Sequence, residues 1–169
     1  MIVEATGEHA PAIRAIAEKS WQAAYRDILS VAQYDYMIDL FYALPALRQT
    51  MQEQTFLLFM KDDVPVGFVS YQLHCPARGS CKIHKLYMLP EAQGGGAGRK
   101  LLEAVTGIAG RKNCQVLTLN VNKYNKALDF YQKVGFSIER AEVIDIGGGY
   151  VMDDFVLIKN LTPPSERVG

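Results

Sequence analysis

Apolar and polar positions alternate along this chain with two periods, and the switches between them outline the elements. Residues 2–5 form a first short strand. A helix follows over about 9–20, with Pro11 in its first turn and Ile13, Ile16 and Ala17 at helical spacing. Residues 21–29 are aromatic and irregular. Ser30 is an N-cap residue for a second helix reaching about residue 40, and Pro45 opens a short third. Residues 55–61 and 64–74 are apolar strand-like runs joined by Asp62-Asp63, short enough for a hairpin. Residues 75–80 are a loop and 81–88 a strand. Leu101, Leu102, Val105, Ile108 and Ala109 then mark one face of a helix that Gly110 ends. Residues 116–121 form a buried strand. Asn125 caps a helix carrying Ala127, Phe130, Tyr131 and Val134, with Gly135 at C′ and Phe136 folding back. Strands over 137–146 and 150–159 flank a glycine triplet, and 162–169 form a loose polar tail.

This order predicts an α+β fold: a mixed, mostly antiparallel central sheet with helices on both faces. Its span is one domain over residues 1–161, with 21–54 as a helical segment on the substrate side. Composition agrees, with 49% apolar and 21% charged residues in 169 positions. The net charge is zero, which argues against nucleic acid as partner. The charge is unevenly placed, however. Residues 1–54 carry −3, while 82–133 carry nine bases and three acids, a net of +6. The three cysteines, Cys75, Cys81 and Cys114, have no metal spacing, so neither metal nor disulfide is expected and a reducing cytoplasm is. The acidic start is unlike a signal peptide, and no apolar run is long enough to span a membrane.

The basic stretch surrounds the most telling segment, L-Y-M-L-P-E-A-Q-G-G-G-A-G at residues 86–98. A strand stops at a proline, a glycine-dense turn follows, and a helix opens. Amides at such a turn lack intrahelical partners, and the helix dipole adds positive charge, so the turn suits a phosphate or pyrophosphate. Gln93-x-x-Gly96-x-Gly98 alone is a modest signal. About thirty residues on stands a second one, N-x-x-A-x-x-F-Y-x-x-x-G-F from Asn125 to Phe136. Together, in this order, the motifs resemble the GNAT superfamily of acyl-CoA-dependent N-acetyltransferases over nearly the whole domain. Residues 84–87, 119–125 and 149–154, with Trp21-x-x-x-Tyr25, more narrowly resemble bacterial spermidine/spermine N-acetyltransferases.

The resemblance implies acetyl-CoA as cosubstrate and a small, polyamine-like primary amine as acceptor; a peptide or protein N-terminus is the alternative. It implies that backbone groups of Met88 and Leu89 pair with the pantetheine arm. Gln93, Gly94, Gly95, Gly96, Ala97, Gly98 and Arg99 would hold the pyrophosphate. Asn125 and Lys133 would also touch the cofactor, and Tyr131 would stand near the thioester sulfur. A homodimer stays open. So do two rival readings: a CoA-binding sensor without catalysis, and a nucleotide phosphotransferase, although Gly98 is followed by Arg99-Lys100-Leu101 and not by a G-K-[S/T] ending.

Acetyl transfer to an amine sets three tasks. An alkyl ammonium has a pKa of ~10.4, so deprotonation at neutral pH costs roughly 4.6 kcal/mol. Where many GNAT enzymes carry a glutamate on the strand before the glycine turn, this chain has Lys82, which cannot copy a carboxylate. His84, on the same strand face, is the candidate base, with a water held by Asn120 and Asn122 as the alternative. The developing oxyanion needs a fixed donor, for which the Met88 N–H is the candidate. The thiolate needs a proton donor, for which Tyr131 is the candidate. Trp21, Tyr25 and Tyr34 either line an amine pocket through cation–π contacts or simply pack the N-terminal helices; Asn120 is a further acceptor-site candidate.

Overall fold

The computed structural model describes residues 1–161, so the expected tail at 162–169 lies outside the described residues. Seven strands are hydrogen-bonded in the order β1-β2-β3-β4-β5-β7-β6. They are β1 (Ile2–Glu4), β2 (Thr55–Lys61), β3 (Val64–Leu73), β4 (Ser80–Met88), β5 (Val116–Asn122), β6 (Ser137–Gly147) and β7 (Tyr150–Asn160). The helices are α1 (Ala10–Tyr25), α2 (Val31–Tyr42), α3 (Leu44–Glu53), α4 (Ala97–Arg111) and α5 (Ala127–Lys133). The expected mixed α+β architecture is the one observed. Among the described residues no helix is long and apolar enough to cross a membrane.

Two compact units are distinguished among the described residues: Met1–Tyr71 with Lys85–Glu103, and Gln72–His84 with residues 104–161. In the first unit β1, β2 and β3 are antiparallel neighbours. Phe56, Leu58, Phe68 and Val69 are fully or almost fully buried, and the Phe56 and Phe68 rings stack at 5.9 Å. Asp62 and Asp63 both adopt positive φ, 51° and 62°, which is the two-residue turn that matches strand twist. Helix α1 runs five residues past its expected end, through Ser20 to Tyr25. The buried stripe Ile13, Ile16, Ala17, Ser20, Trp21 and Tyr25 keeps helical spacing, so the aromatic stretch continues the helix. Ser30 caps α2 as expected, its Oγ accepting from the Gln33 N–H at 3.1 Å.

In the second unit β4 pairs with β5 in parallel from Ser80↔Val116 to Ile83↔Leu119. Strand β5 is antiparallel to β7, and β7 to β6. Leu117, Leu119 and Val121 form the buried face of β5, and Asn120 and Asn122 lie on the other. Gly110 does not end α4, which continues to Arg111. The left-handed residue that stops it is Asn113, at φ 66°, and the Cys114 N–H bonds back to the Ala109 carbonyl. Helix α5 begins at Ala127, with the Asn125 Oδ1 accepting its N–H at 2.9 Å, and ends as expected with Gly135 at φ 106° and the Phe136 N–H on the Tyr131 carbonyl.

Candidate active site

In the first unit the C-terminal end of β4 runs into the glycine turn. The Leu89 N–H donates to the Val66 carbonyl at 2.8 Å, and the Leu89 carbonyl accepts from Ala92. Both backbone groups of Leu89 are therefore engaged. The Met88 side chain is buried against Gly67 of β3, where a Cβ would overlap its Sδ and Cε. Gly67 was not among the residues picked out above. The one available signal was a glycine inside a strand, which marks a close backbone approach.

Gly94 and Gly96 adopt φ 86° and 82°, conformations that side-chain-bearing residues rarely hold. A Cβ at either position would meet nothing within 4 Å, so the positive φ and not crowding is what favours glycine there. Gly96 supplies the carbonyl that accepts the first α4 bond, from the Lys100 N–H at 3.0 Å. The preceding amides thus open a 15-residue helix with its positive dipole end. Arg99 is exposed beside them. Such a helix start is chemically suited to an anion.

Trp21 is buried among the rings of Tyr25, Tyr34, Phe41, Tyr42 and Tyr87, all edge-on at centroid distances of 5.4–6.4 Å. The Tyr34 hydroxyl donates to the Glu18 carbonyl, and its pKa is raised by burial and then by Glu18. The Lys85 Nζ lies 5.9 Å from the Tyr42 ring centre, so this protein's own cation already faces the cluster.

In the second unit His84 Nε2 pairs with Gln72 Oε1 at 3.1 Å. Lys82 sits opposite Thr118 on β5. The Asn120 amide nitrogen donates to two carboxylates, Glu142 Oε2 at 3.1 Å and Asp154 Oδ2 at 3.4 Å. Asp154 pairs in register with Asn122 on one side and Glu142 on the other. Its neighbour Asp153 turns to Lys123 at 2.9 Å, as strand alternation requires. Reading the strands singly missed the Glu142–Asn120–Asp154 row, because it exists only across three of them. Tyr131 is buried between the rings of Phe130 and Phe136, and Lys133 is exposed. Burial pushes the Cys81 thiol up to about 12, with Cys114 and Cys75 adding to it, so Cys81 is no nucleophile at neutral pH.

Asp154 is 1% exposed, and burial raises its carboxyl above the ordinary 3.8, with Glu142 and Asp153 adding and Asn120 and Lys82 opposing. The folded protein therefore holds this proton more tightly than the unfolded chain does. The associated stability is present at low pH and is lost as pH rises through the raised value. Asp154→Asn is expected to gain about 1 kcal/mol at pH 8, roughly 3 °C in Tm, with the gain vanishing near pH 3. Thermal melts at the two pH values check this; a variant less stable at pH 8 would mean that the native state needs the charge.

The fold is that of N-acetyltransferases. A family model described as the acetyltransferase (GNAT) family matches residues 11–136, and the chain belongs to that family. Its structure is similar to that of PaiA N-acetyltransferase from Thermoplasma acidophilum in complex with coenzyme A, at 24% identity and TM-score 0.80 over 95% of this chain and 98% of that one. It is similar to apo YjaB from Escherichia coli, at 28% identity and TM-score 0.72 over 94% and 95%. It also resembles yncA, a putative acetyltransferase from Salmonella typhimurium with acetyl-CoA, at 20% identity and TM-score 0.65 over 96% and 94%. No curated protein sequence matches the chain.

Proposed function

We propose that this protein transfers the acetyl group of acetyl-CoA to a small primary amine by direct attack of the amine on the thioester. The observation that carries this reading is the open glycine turn at the N-terminus of α4 in a chain of this family. Gln93 to Arg99 receive the pyrophosphate, and the backbone at Met88 receives the pantetheine, whereas both backbone groups of Leu89 are already bonded within the chain. The Met88 N–H is the donor this reading assigns to the oxyanion. Asn125 and Lys133 serve the same cosubstrate, and Tyr131 gives its proton to the departing sulfur.

His84 takes the amine proton. Its Nε2 lies 3.1 Å from the Gln72 side-chain oxygen, a contact that orients the ring. The Glu142–Asn120–Asp154 row supports a cationic acceptor, of which a polyamine-like amine is the first class. A peptide or protein N-terminus is the second. Free thiols at all three cysteines support a cytoplasmic setting.

A thiol-release assay over polyamines, amino acids and peptides tests the reading. Turnover with at least one amine is expected, and His84→Gln should lose the acidic limb of the kcat/KM profile and about 100-fold in rate. No thiol release with any amine would leave the sensor reading. An unmoved limb at full rate would exclude His84.

A further inference from the structure

Helix α5 carries Tyr131, the proton donor of the proposed reaction, and has seven residues. A helix this short is not held by its own hydrogen bonds, and its last carbonyls find no partner within it. The carbonyl of its C-cap residue, Val134, accepts from Lys159 Nζ at 2.7 Å. Lys159 comes from β7 of the same unit, 25 positions further along the chain. It pairs in register with Leu117, on the buried face of β5, and alternation sets it on the same face as fully buried Leu157. An ammonium on an apolar face needs a polar partner, and the end of α5 supplies one. The helix is stabilised in turn, because a cation meets the negative end of its dipole.

Gly135 leaves room for this contact. A Cβ there would stand 3.0 Å from Lys159 Cε and 3.4 Å from Nζ, so the glycine serves twice, for its φ of 106° and for the space the lysine takes. The same turn leads to Tyr131. The Gly135 N–H donates to the Gln132 carbonyl at 3.2 Å, and the Phe136 N–H to the Tyr131 carbonyl at 3.0 Å. Phe136 is 4% exposed and sets its ring edge-on to that of Tyr131 at 5.8 Å. Fixing the Val134 carbonyl therefore fixes the turn that places Phe136, and Phe136 is one wall of the Tyr131 seat.

We propose that Lys159 is a positioning residue for acetyl transfer: from β7 it clamps the C-terminal turn of α5 and so holds the Tyr131 phenol in line for the departing sulfur. This rests on the acetyl-transfer reading and adds to it a residue that acts through Tyr131 and not on the reactants.

Lys159→Met removes the ammonium and keeps an apolar stem, and two measurements on the full chain follow its effect. Amide hydrogen exchange, read by NMR without coenzyme, should be at least about tenfold faster at Gly135 and Phe136 and unchanged at Leu117 and Leu119 of β5. In steady-state kinetics kcat should fall about tenfold while the acetyl-CoA KM moves less than about twofold. Lys159→Arg, which keeps a charged donor, should stay within about threefold of the native kcat. In a Tyr131→Phe background Lys159→Met should cost less than about twofold, because the phenol it places is gone. Lys159→Gln, which stops short of the carbonyl, takes the place of the methionine variant should that one not fold. Native exchange at Phe136, a native kcat in Lys159→Met, an arginine variant as slow as the methionine one, or a tenfold loss that persists beside Tyr131→Phe would each overturn the proposal. Thiol release by the native protein keeps the two readings apart. Where it occurs, an unchanged kcat in Lys159→Met removes the lysine's role alone; where it occurs with no amine, the acetyl-transfer reading fails and this role falls with it.

Discussion

Tyr131→Phe is expected to lower kcat about 100-fold while moving the acetyl-CoA KM less than about threefold. The phenol acts only when sulfur charge develops, so its loss falls on turnover and not on ground-state binding. The transfer is not a simple downhill step. Tyrosine, at a pKa of ~10, is a weaker acid than a thiol at ~8.5, so full proton donation is uphill by about 2 kcal/mol. On the proposed mechanism Tyr131 would hydrogen-bond the departing sulfur first and give up its proton late. The ring contacts with Phe130 and Phe136, at 5.4 and 5.8 Å, are kept in the phenylalanine variant. Steady-state kinetics beside a thermal melt separate the two effects. Unchanged turnover in a folded variant would take Tyr131 out of the mechanism.

Gly67→Ala should destabilise the protein by about 2 kcal/mol and raise the acetyl-CoA KM about tenfold. The added methyl would overlap Met88 Sδ and Cε and approach the Tyr87 carbonyl oxygen to 3.1 Å. The thioether end is flexible and gives way, whereas the carbonyl is backbone and moves the strand. The site feels the change because Met88 and the neighbouring Leu89–Val66 bond set the path of the chain into the glycine turn. Truncating the partner isolates this cause. In a Met88→Ala background, itself less stable, Gly67→Ala should cost less than it does beside the native Met88, a coupling expected of touching residues. Melting curves and acetyl-CoA titrations of the single and double variants measure it. Additive losses would mean that Gly67 acts through its own backbone freedom.

Several elements were legible in the order of residues because their causes are local. Ser30 before a helical stripe, Asp62-Asp63 between two apolar runs, and Gly135 followed by Phe136 all place their elements through contacts a few residues apart. The glycine turn before α4 belongs with them, since positive φ at Gly94 and Gly96 and the free amides are properties of one short segment. Two helix ends misled for the same reason. Gly110 is tolerated inside α4 while Asn113 stops it, and the aromatics after Ser20 extend α1 because they have a core to enter.

Local order in the chain thus specified an α+β fold with a glycine turn ahead of α4, since turns, caps and strand periods are written in neighbouring residues. Contacts between distant residues decided the rest. Gly67 under Met88, Asn120 shared by Glu142 and Asp154, and Lys159 on the Val134 carbonyl arise where separate strands or helices meet. Burial and pairing, which set both charge and hydrogen-bonding demand, depend on what folds over a residue and not on what precedes it.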